Sequence, residues 1–266
     1  FKRGFELACR KTEKDLTIVP FYIRGLWGSK FSRSSDKLKE LRKNGLFRDL
    51  VVAFGGGMVK DSKAEEIKST VFDLSVLSWK EHVAHLPSLG DAWIETVKSV
   101  GIGKSIIDTN GTTLSAQQSL VGAINLSKKM KLSCKAQNVG LLLPTSAGGV
   151  LANLATLLAG KTIVNLNYTA SLEAVGDAIK QAEITHVYTS KLFLNKLKKR
   201  GVDLSSVIEN VQVEYLEDTL KQVKKWQSVM RLLLVKSLPA ALLKLLYVRN
   251  IGTDQPAAIL FSSGSE

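Results

Sequence analysis

Asn138-Val139-Gly140-Leu141-Leu142-Leu143-Pro144-Thr145-Ser146-Ala147-Gly148-Gly149-Val150, continuing through Leu151 to Gly160 and into Lys161-Thr162-Ile163-Val164-Asn165-Leu166-Asn167-Tyr168-Thr169, decides the fold. It reads as a strand, a glycine-containing turn, an apolar helix, a glycine stop and a second strand. That is a buried βαβ unit. Further along, Thr185 to Tyr188 and Val211 to Tyr215 are candidate strands separated by helices rich in Leu and Lys. Repeated strand and helix alternation implies an α/β fold with a largely parallel, helix-covered sheet. Ala257-Ala258-Ile259-Leu260 is short and apolar and reads as another buried strand, leading into Phe261-Ser262-Ser263-Gly264-Ser265-Glu266.

A strand that ends in a Ser/Gly loop is a phosphate-holding arrangement. Glycine lets backbone N–H groups approach an anion, and hydroxyls donate further hydrogen bonds. Ser262, Ser263, Gly264 and Ser265 are therefore the first candidate site residues, although an ordinary turn fits the same cluster. Gly103-Lys104-Ser105 does not form a P-loop, because the required earlier glycine is replaced by Lys98. Ile106 to Leu114 reads instead as a hairpin turning at Asn110-Gly111. Ser115 and Gln118 match a capping box for a helix reaching about Met130.

Upstream, Ile18-Val19-Pro20-Phe21-Tyr22-Ile23-Arg24-Gly25 is a strand interrupted by proline, the mark of a sheet edge or strand start. Arg48-Asp49-Leu50-Val51-Val52-Ala53-Phe54-Gly55 is a further strand, and Gly55-Gly56-Gly57 a loop. From Asp61 to about His85 the pattern turns helical, with Ala64, Ile67, Val71 and Leu74 on one face, as expected of a connecting helix. Pro87-Ser88-Leu89-Gly90 then punctuates the chain. Asp91 is the expected N-cap of the helix carrying Trp93, Val97 and Val100.

The run from Asn138 to Thr169, with its Val-Asn-Leu-Asn-Tyr-Thr stretch, resembles the adenylate-forming (AMP-binding) ligase superfamily, and in particular the branch that activates fatty acids beside an acyltransferase. Phe261 to Ser265 match the phosphate loop of that superfamily position by position, and Glu266 matches the Ser-Gly-Ser-Glu form of this branch. Phe1-Lys2-Arg3-Gly4-Phe5-Glu6 and the Pro20 strand resemble the last blocks of the glycerolipid acyltransferase family, and Arg48 to Gly55 its closing strand. The combined order resembles the family of bifunctional acyl-acyl-carrier-protein synthetases and 2-acylglycerophosphoethanolamine acyltransferases.

The resemblance implies the end of an acyltransferase α/β domain at 1–58, a helical linker at 59–90 and the N-terminal part of an acyl ligase domain at 91–266, truncated within its phosphate loop. It implies ATP and Mg2+ as cofactors, with Ser262, Ser263, Gly264 and Ser265 on the ATP phosphates. Pro20 and Arg24 become acceptor-side candidates. The implied partners are a fatty acid, acyl carrier protein or coenzyme A, and a lysophospholipid. The expected location is the cytoplasmic face of a bacterial inner membrane, with peripheral or parent-anchored attachment. The acyltransferase His-x-x-x-x-Asp pair is absent, since His82, His85 and His186 are followed five residues later by Pro87, Gly90 and Lys191. The ligase's C-terminal lysine domain is missing too, so the chain is expected to be an excised piece, inert by itself. Two other readings fit: a stand-alone long-chain fatty-acyl ligase, or a noncatalytic basic lipid-binding module.

Composition narrows the classes. At 266 residues and 45% hydrophobic the chain can bury a sizeable core and suggests more than one folding unit. Two cysteines, Cys9 and Cys134, in different expected units fit a reducing compartment. His82 and His85 form a His-x-x-His pair with no evident third ligand, so no metal site is expected. A net charge of +13 favours an anionic partner. The lysines are scattered and lack a stacking platform, so lipid or an acidic carrier protein is expected and nucleic acid is not. The greasy region from Ser228 to Val248 is interrupted by Arg231, Lys236, Pro239 and Lys244. Two short basic amphipathic helices are expected there, against a membrane face or packed within the ligase domain.

Overall fold

The computed structural model describes residues 4–29, 32–41, 49–249 and 251–261. The chain divides into two units, Phe1–Leu86 and Pro87–Glu266.

In the first unit, helix α1 (Gly4–Arg10) precedes strands β1 (Thr17–Ile18) and β2 (Phe21–Arg24), helix α2 (Asp36–Leu41), strands β3 (Val51–Phe54) and β4 (Met58–Val59), and helix α3 (Ala64–Ala84). The expected proline interruption is real. Pro20 has no N–H to give to a ladder, and the strand splits: β1 pairs with β4 and β2 with β3, both antiparallel. The loop glycine Gly55 donates its N–H to the Pro20 carbonyl at 2.9 Å. Ala64, Ile67, Leu74 and Ser78 form the buried stripe of α3, close to the face expected from the sequence, and α3 lies against β2 and β3. Its start is held by Glu6, which accepts the Ala64 N–H at 2.6 Å.

The second unit begins with helix α4 (Leu89–Val100), followed by strands β5 (Lys104–Ile107) and β6 (Thr113–Ser115) and helix α5 (Ala116–Ser133). Then come β7 (Asn138–Leu142), α6 (Ala147–Leu158), β8 (Thr162–Asn165), α7 (Leu172–Gln181), β9 (His186–Thr189), α8 (Lys191–Lys199), α9 (Ser205–Ile208) and β10 (Gln212–Tyr215). Helices α10 (Leu216–Lys221), α11 (Lys225–Ser237) and α12 (Ala240–Tyr247) lead to β11 (Ala258–Ile259). The N-cap of α4 is Ser88, not Asp91. The Ser88 hydroxyl accepts the Asp91 N–H at 3.1 Å and donates to the Asp91 carboxylate at 2.8 Å, so Asp91 sits one turn inside the helix. The β5–β6 hairpin turns as expected, with Gly111 at φ 88°, and Ser115 and Gln118 form the capping box of α5.

Strands β10-β9-β7-β8-β11 form one parallel sheet in that order. Alternation along the strands sorts its side chains between two cores. Val139, Leu141, Ile163 and Tyr188 join the cluster under α4, α5, α6, α11 and α12. Leu142, Val164 and Val187 join the one under α7, α8 and α9. With both faces covered, the central strands read as continuous apolar runs. The βαβ reading of Asn138 to Thr169 is thus borne out, and the Gly160 stop adopts φ 68°, where L side chains are strained. The final strand differs from expectation. Among the described residues it is two residues long, pairs with β8 and leaves Leu260 80% exposed, so it is not buried here as the sequence led one to expect.

Candidate functional site

Because every strand of this sheet runs the same way, Leu142, Asn165, Thr189, Tyr215 and Ile259 end at one edge. Connections leave the neighbouring strands β7 and β9 in opposite directions, towards β8 and towards β10. In open α/β sheets the crevice at such a reversal, outside the carboxyl ends, is where ligands bind.

Two helices start there, and each carries a carboxylate from elsewhere in the unit. At α6, Ser146 accepts the Gly149 N–H at 3.3 Å, and Asp108 of the distant hairpin accepts the Ala147 N–H at 2.8 Å. The Ala147 N–H is the main reason Asp108 sits below the usual carboxylate range; slight burial opposes it. At α8, Ser190 accepts the Phe193 N–H at 3.1 Å and donates to Glu217 at 2.6 Å. Glu217 also accepts the Lys191 and Leu192 N–H groups at 3.2 and 3.3 Å. Burial pushes Glu217 up, but the Ser190 hydroxyl and these N–H groups together hold it below its ordinary value. Lys191 pairs with Asp218 at 2.5 Å, which raises its pKa, and lies 4.9 Å from the Tyr215 ring. A helix start is an inviting anion seat, and at both of these the protein has supplied the anion itself.

Between β8 and α6, Asn165 and Asn153 exchange amide hydrogen bonds at 2.9 and 3.3 Å, and Asn153 also donates to the Gly149 carbonyl at 2.8 Å. Asn167 accepts the Thr169 N–H at 3.0 Å and its hydroxyl at 2.7 Å. Both Asn165 and Asn167 are exposed. They shape the rim of the sheet. Thr189 ties β9 to β7 through the Leu142 carbonyl at 2.7 Å.

The predicted phosphate residues Ser262, Ser263, Gly264 and Ser265 lie outside the described residues. The strand before them is described, and its parallel pairing, Ala258 with Ile163 and Ile259 with Val164, carries the chain out past Leu260 at the carboxyl edge beside Asn165. Pro20 and Arg24 belong to the first unit. Pro20 is buried at the strand break. Arg24 donates to the Ser78 hydroxyl at 3.3 Å and the Ser75 carbonyl at 3.2 Å, and stacks 4.8 Å from the Trp79 ring centroid. Its guanidinium is thus engaged by α3. Asp108, Asn153, Ser190 and Glu217 were not singled out from the sequence. Only Ser190, a serine directly after a strand and before an apolar run, carried a local N-cap signal.

The profile of the AMP-binding enzyme family matches residues 126–266, from within α5 through the entire parallel sheet. The chain belongs to the AMP-binding enzyme family. Among solved structures it is similar to the Klebsiella oxytoca NpsA N-terminal subdomain in complex with 3-hydroxybenzoyl-AMSN, at 15% identity and a TM-score of 0.50, over 69% of this chain and 39% of that one. The same subdomain in complex with 3-hydroxyanthranilyl-AMSN gives 14% identity and a TM-score of 0.50, over 69% and 40%. O-succinylbenzoate coenzyme A synthetase from Bacillus subtilis, in complex with AMP, gives 15% and 0.47, over 65% and 39%. The chain therefore spans about two fifths of the length of the solved structures it matches. The likeness to NpsA shows the fold: this chain has the α/β architecture of the N-terminal subdomain of adenylate-forming ligases. Among its described residues no group of three or more His, Cys, Asp or Glu is arranged to hold a metal ion.

Proposed function

We propose that the whole protein activates a fatty acid with ATP, loads it on acyl carrier protein and transfers it to a lysophospholipid. In this reading residues 91–266 belong to the ligase, 59–90 connect it, and 1–58 end an acyltransferase domain. The observation that carries it is the Phe261-Ser262-Ser263-Gly264-Ser265-Glu266 segment, entered from a strand that leaves the parallel sheet at its carboxyl edge.

The chemistry follows from the acyl group's needs. A carboxylate oxygen attacks the α-phosphorus of ATP, the bond to pyrophosphate breaks, and the resulting mixed anhydride exposes the carbonyl carbon to a carrier thiolate, with AMP leaving. The chain's contribution is to hold polyphosphate. Ser262, Ser263 and Ser265 offer hydroxyls, and Gly264 permits close approach of backbone N–H groups. Asp108 and Glu217 disfavour phosphate at the starts of α6 and α8 through like charge, which directs it to the hydroxyl loop. Magnesium would supply charge screening between phosphates. On the acyltransferase side, Pro20 and Arg24 support the strand and α3 that would back the acceptor region.

The test is pyrophosphate exchange into ATP, dependent on fatty acid, by the product of the whole reading frame, together with transfer of radiolabelled acyl groups to 2-acylglycerophosphoethanolamine. Exchange without transfer would leave a stand-alone fatty-acyl ligase. Absence of both would leave the lipid-binding reading.

A further inference from the structure

Helices α11 and α12 are anchored on one side only. Val235, Leu243 and Tyr247 are buried in the core under the sheet. Lys98 caps the end of α11 by donating to the Val235 and Lys236 carbonyls at 3.0 and 3.1 Å, and Lys244 of α12 pairs with Glu95 of α4.

The opposite side is apolar and bare. On α11, Trp226 (62% exposed), Val229, Met230 and Leu233 all face solvent. At 3.6 residues per turn they fall within an arc of about 100°, with buried Val235 on the far side. On α12, Leu242, Leu245 (80% exposed) and Leu246 repeat the pattern, opposite Leu243 and Tyr247. A helix in a water-soluble surface normally turns such a stripe inward. Here each helix has two apolar faces, and only one is used.

The charge around the stripe identifies its partner. From Lys221 to Arg249 the sequence holds seven basic residues and no acidic one. Lys221, Lys224, Lys225 and Lys236 are exposed, and Lys225 and Lys236 border the apolar arc of α11 along one side. Behind the helices, burial and the neighbouring Arg231 lower the Lys128 pKa, and burial, Arg249 and Lys128 lower that of Lys131, as expected of cations gathered without acids between them. A purely apolar partner would leave these lysines without counter-charge. No helix among the described residues is long and apolar enough to cross a membrane. Apolar side chains sunk to the headgroup boundary, with lysines reaching anionic headgroups beside them, satisfy both features.

We propose that the α11–α12 pair is a peripheral docking surface for an anionic lipid bilayer, entered by Trp226, Met230, Leu233 and Leu245 and flanked by Lys225 and Lys236. The surface lies in residues that the AMP-binding family match spans, but the proposal stands independently of the chemistry proposed above.

The test is flotation of the protein with vesicles of phosphatidylcholine alone, or with about one third phosphatidylglycerol, at low and high salt. Binding is expected to the anionic vesicles, weakening as salt rises. Combining Trp226→Glu, Leu233→Glu and Leu245→Glu should lower partitioning at least about tenfold. Lys225→Gln with Lys236→Gln, which removes no apolar contact, should lower it about tenfold on anionic vesicles only. Circular dichroism establishes that each variant is folded, and the lysine pair keeps the test decisive if the triple variant is not. No binding, equal binding to both compositions, or binding unchanged in the folded variants would overturn the proposal. So would light scattering that shows the triple variant abolishing self-association while vesicle binding persists, which would make the stripe a contact between two copies.

Discussion

Glu217, one residue into α10, accepts the Ser190 hydroxyl at 2.6 Å, so the end of β10 is latched to the start of α8. The same carboxylate takes two backbone N–H groups of that helix. Glu217→Gln keeps the shape and loses the charge, and should cost about 1 kcal/mol at neutral pH. Since the folded protein holds this carboxyl below its ordinary value, its contribution is complete above the unfolded pKa and disappears as pH falls through the depressed one. Thermal melts of the two proteins should therefore differ at pH 7 and converge as pH drops below about 4. Faster amide exchange at Lys191 and Leu192 in the variant would locate the loss.

Gly149 cannot carry a side chain. A Cβ there would lie 2.5 Å from the Pro144 carbonyl oxygen, which is backbone and has little freedom to retreat. Gly149→Ala gains at most about 1 kcal/mol of helix propensity and meets a clash worth about 1–3 kcal/mol, so urea denaturation should show a net loss. Gly176 in α7 is the control. Its Cβ would meet only Val207 Cγ1 at 3.9 Å, and Gly176→Ala should stabilise by about 0.5–1 kcal/mol.

Tyr188 is fully buried, and its hydroxyl bonds Ser133 at 2.7 Å while Ser133 donates to the Lys129 carbonyl at 3.1 Å. Burial pushes the phenol up to about 12. A raised phenol pKa gives stability that is present below the unfolded value near 10.0 and is lost as pH climbs towards about 12. Tyr188→Phe should cost about 1 kcal/mol at neutral pH. It should also flatten the decline in melting temperature between pH 9.5 and 11 by removing the group that titrates, as roughly expected from linkage.

If Ser262 to Ser265 hold polyphosphate, Gly264→Ala and Ser265→Ala in the whole protein should each lower fatty-acid-dependent pyrophosphate exchange by roughly tenfold to a hundredfold. The melting temperature should stay unchanged, and the loss should appear in kcat/KM for ATP. Chelation of magnesium should abolish exchange in the parent and the variants alike.

Local order supplied what was legible beforehand. The glycine stop at Gly160, the Ser115 and Gln118 capping box, the Asn110-Gly111 turn and the Pro20 break each depend on a few adjacent residues and on backbone geometry that neighbours dictate. The parallel sheet followed because apolar runs with crossover helices admit few other arrangements. Boundaries were less secure. Ser88 rather than Asp91 caps α4 because a serine and an aspartate three residues apart can both cap a helix, and only the helix's own start decides between them.

Sequence alone thus determined the alternation of strands and helices, the buried βαβ unit and the Ser/Gly segment beyond the last strand, since periodicity and turn chemistry are written in consecutive residues. Tertiary structure alone decided the strand order, the pairing of Ala258–Ile259 with β8, the Asp108 and Glu217 carboxylates at the starts of α6 and α8, and the bare apolar side of α11 and α12. Asp108 and Ala147 lie 39 residues apart and Ser190 and Glu217 lie 27 apart. No local pattern encodes such pairs, because they exist only once the packed sheet has brought distant segments together.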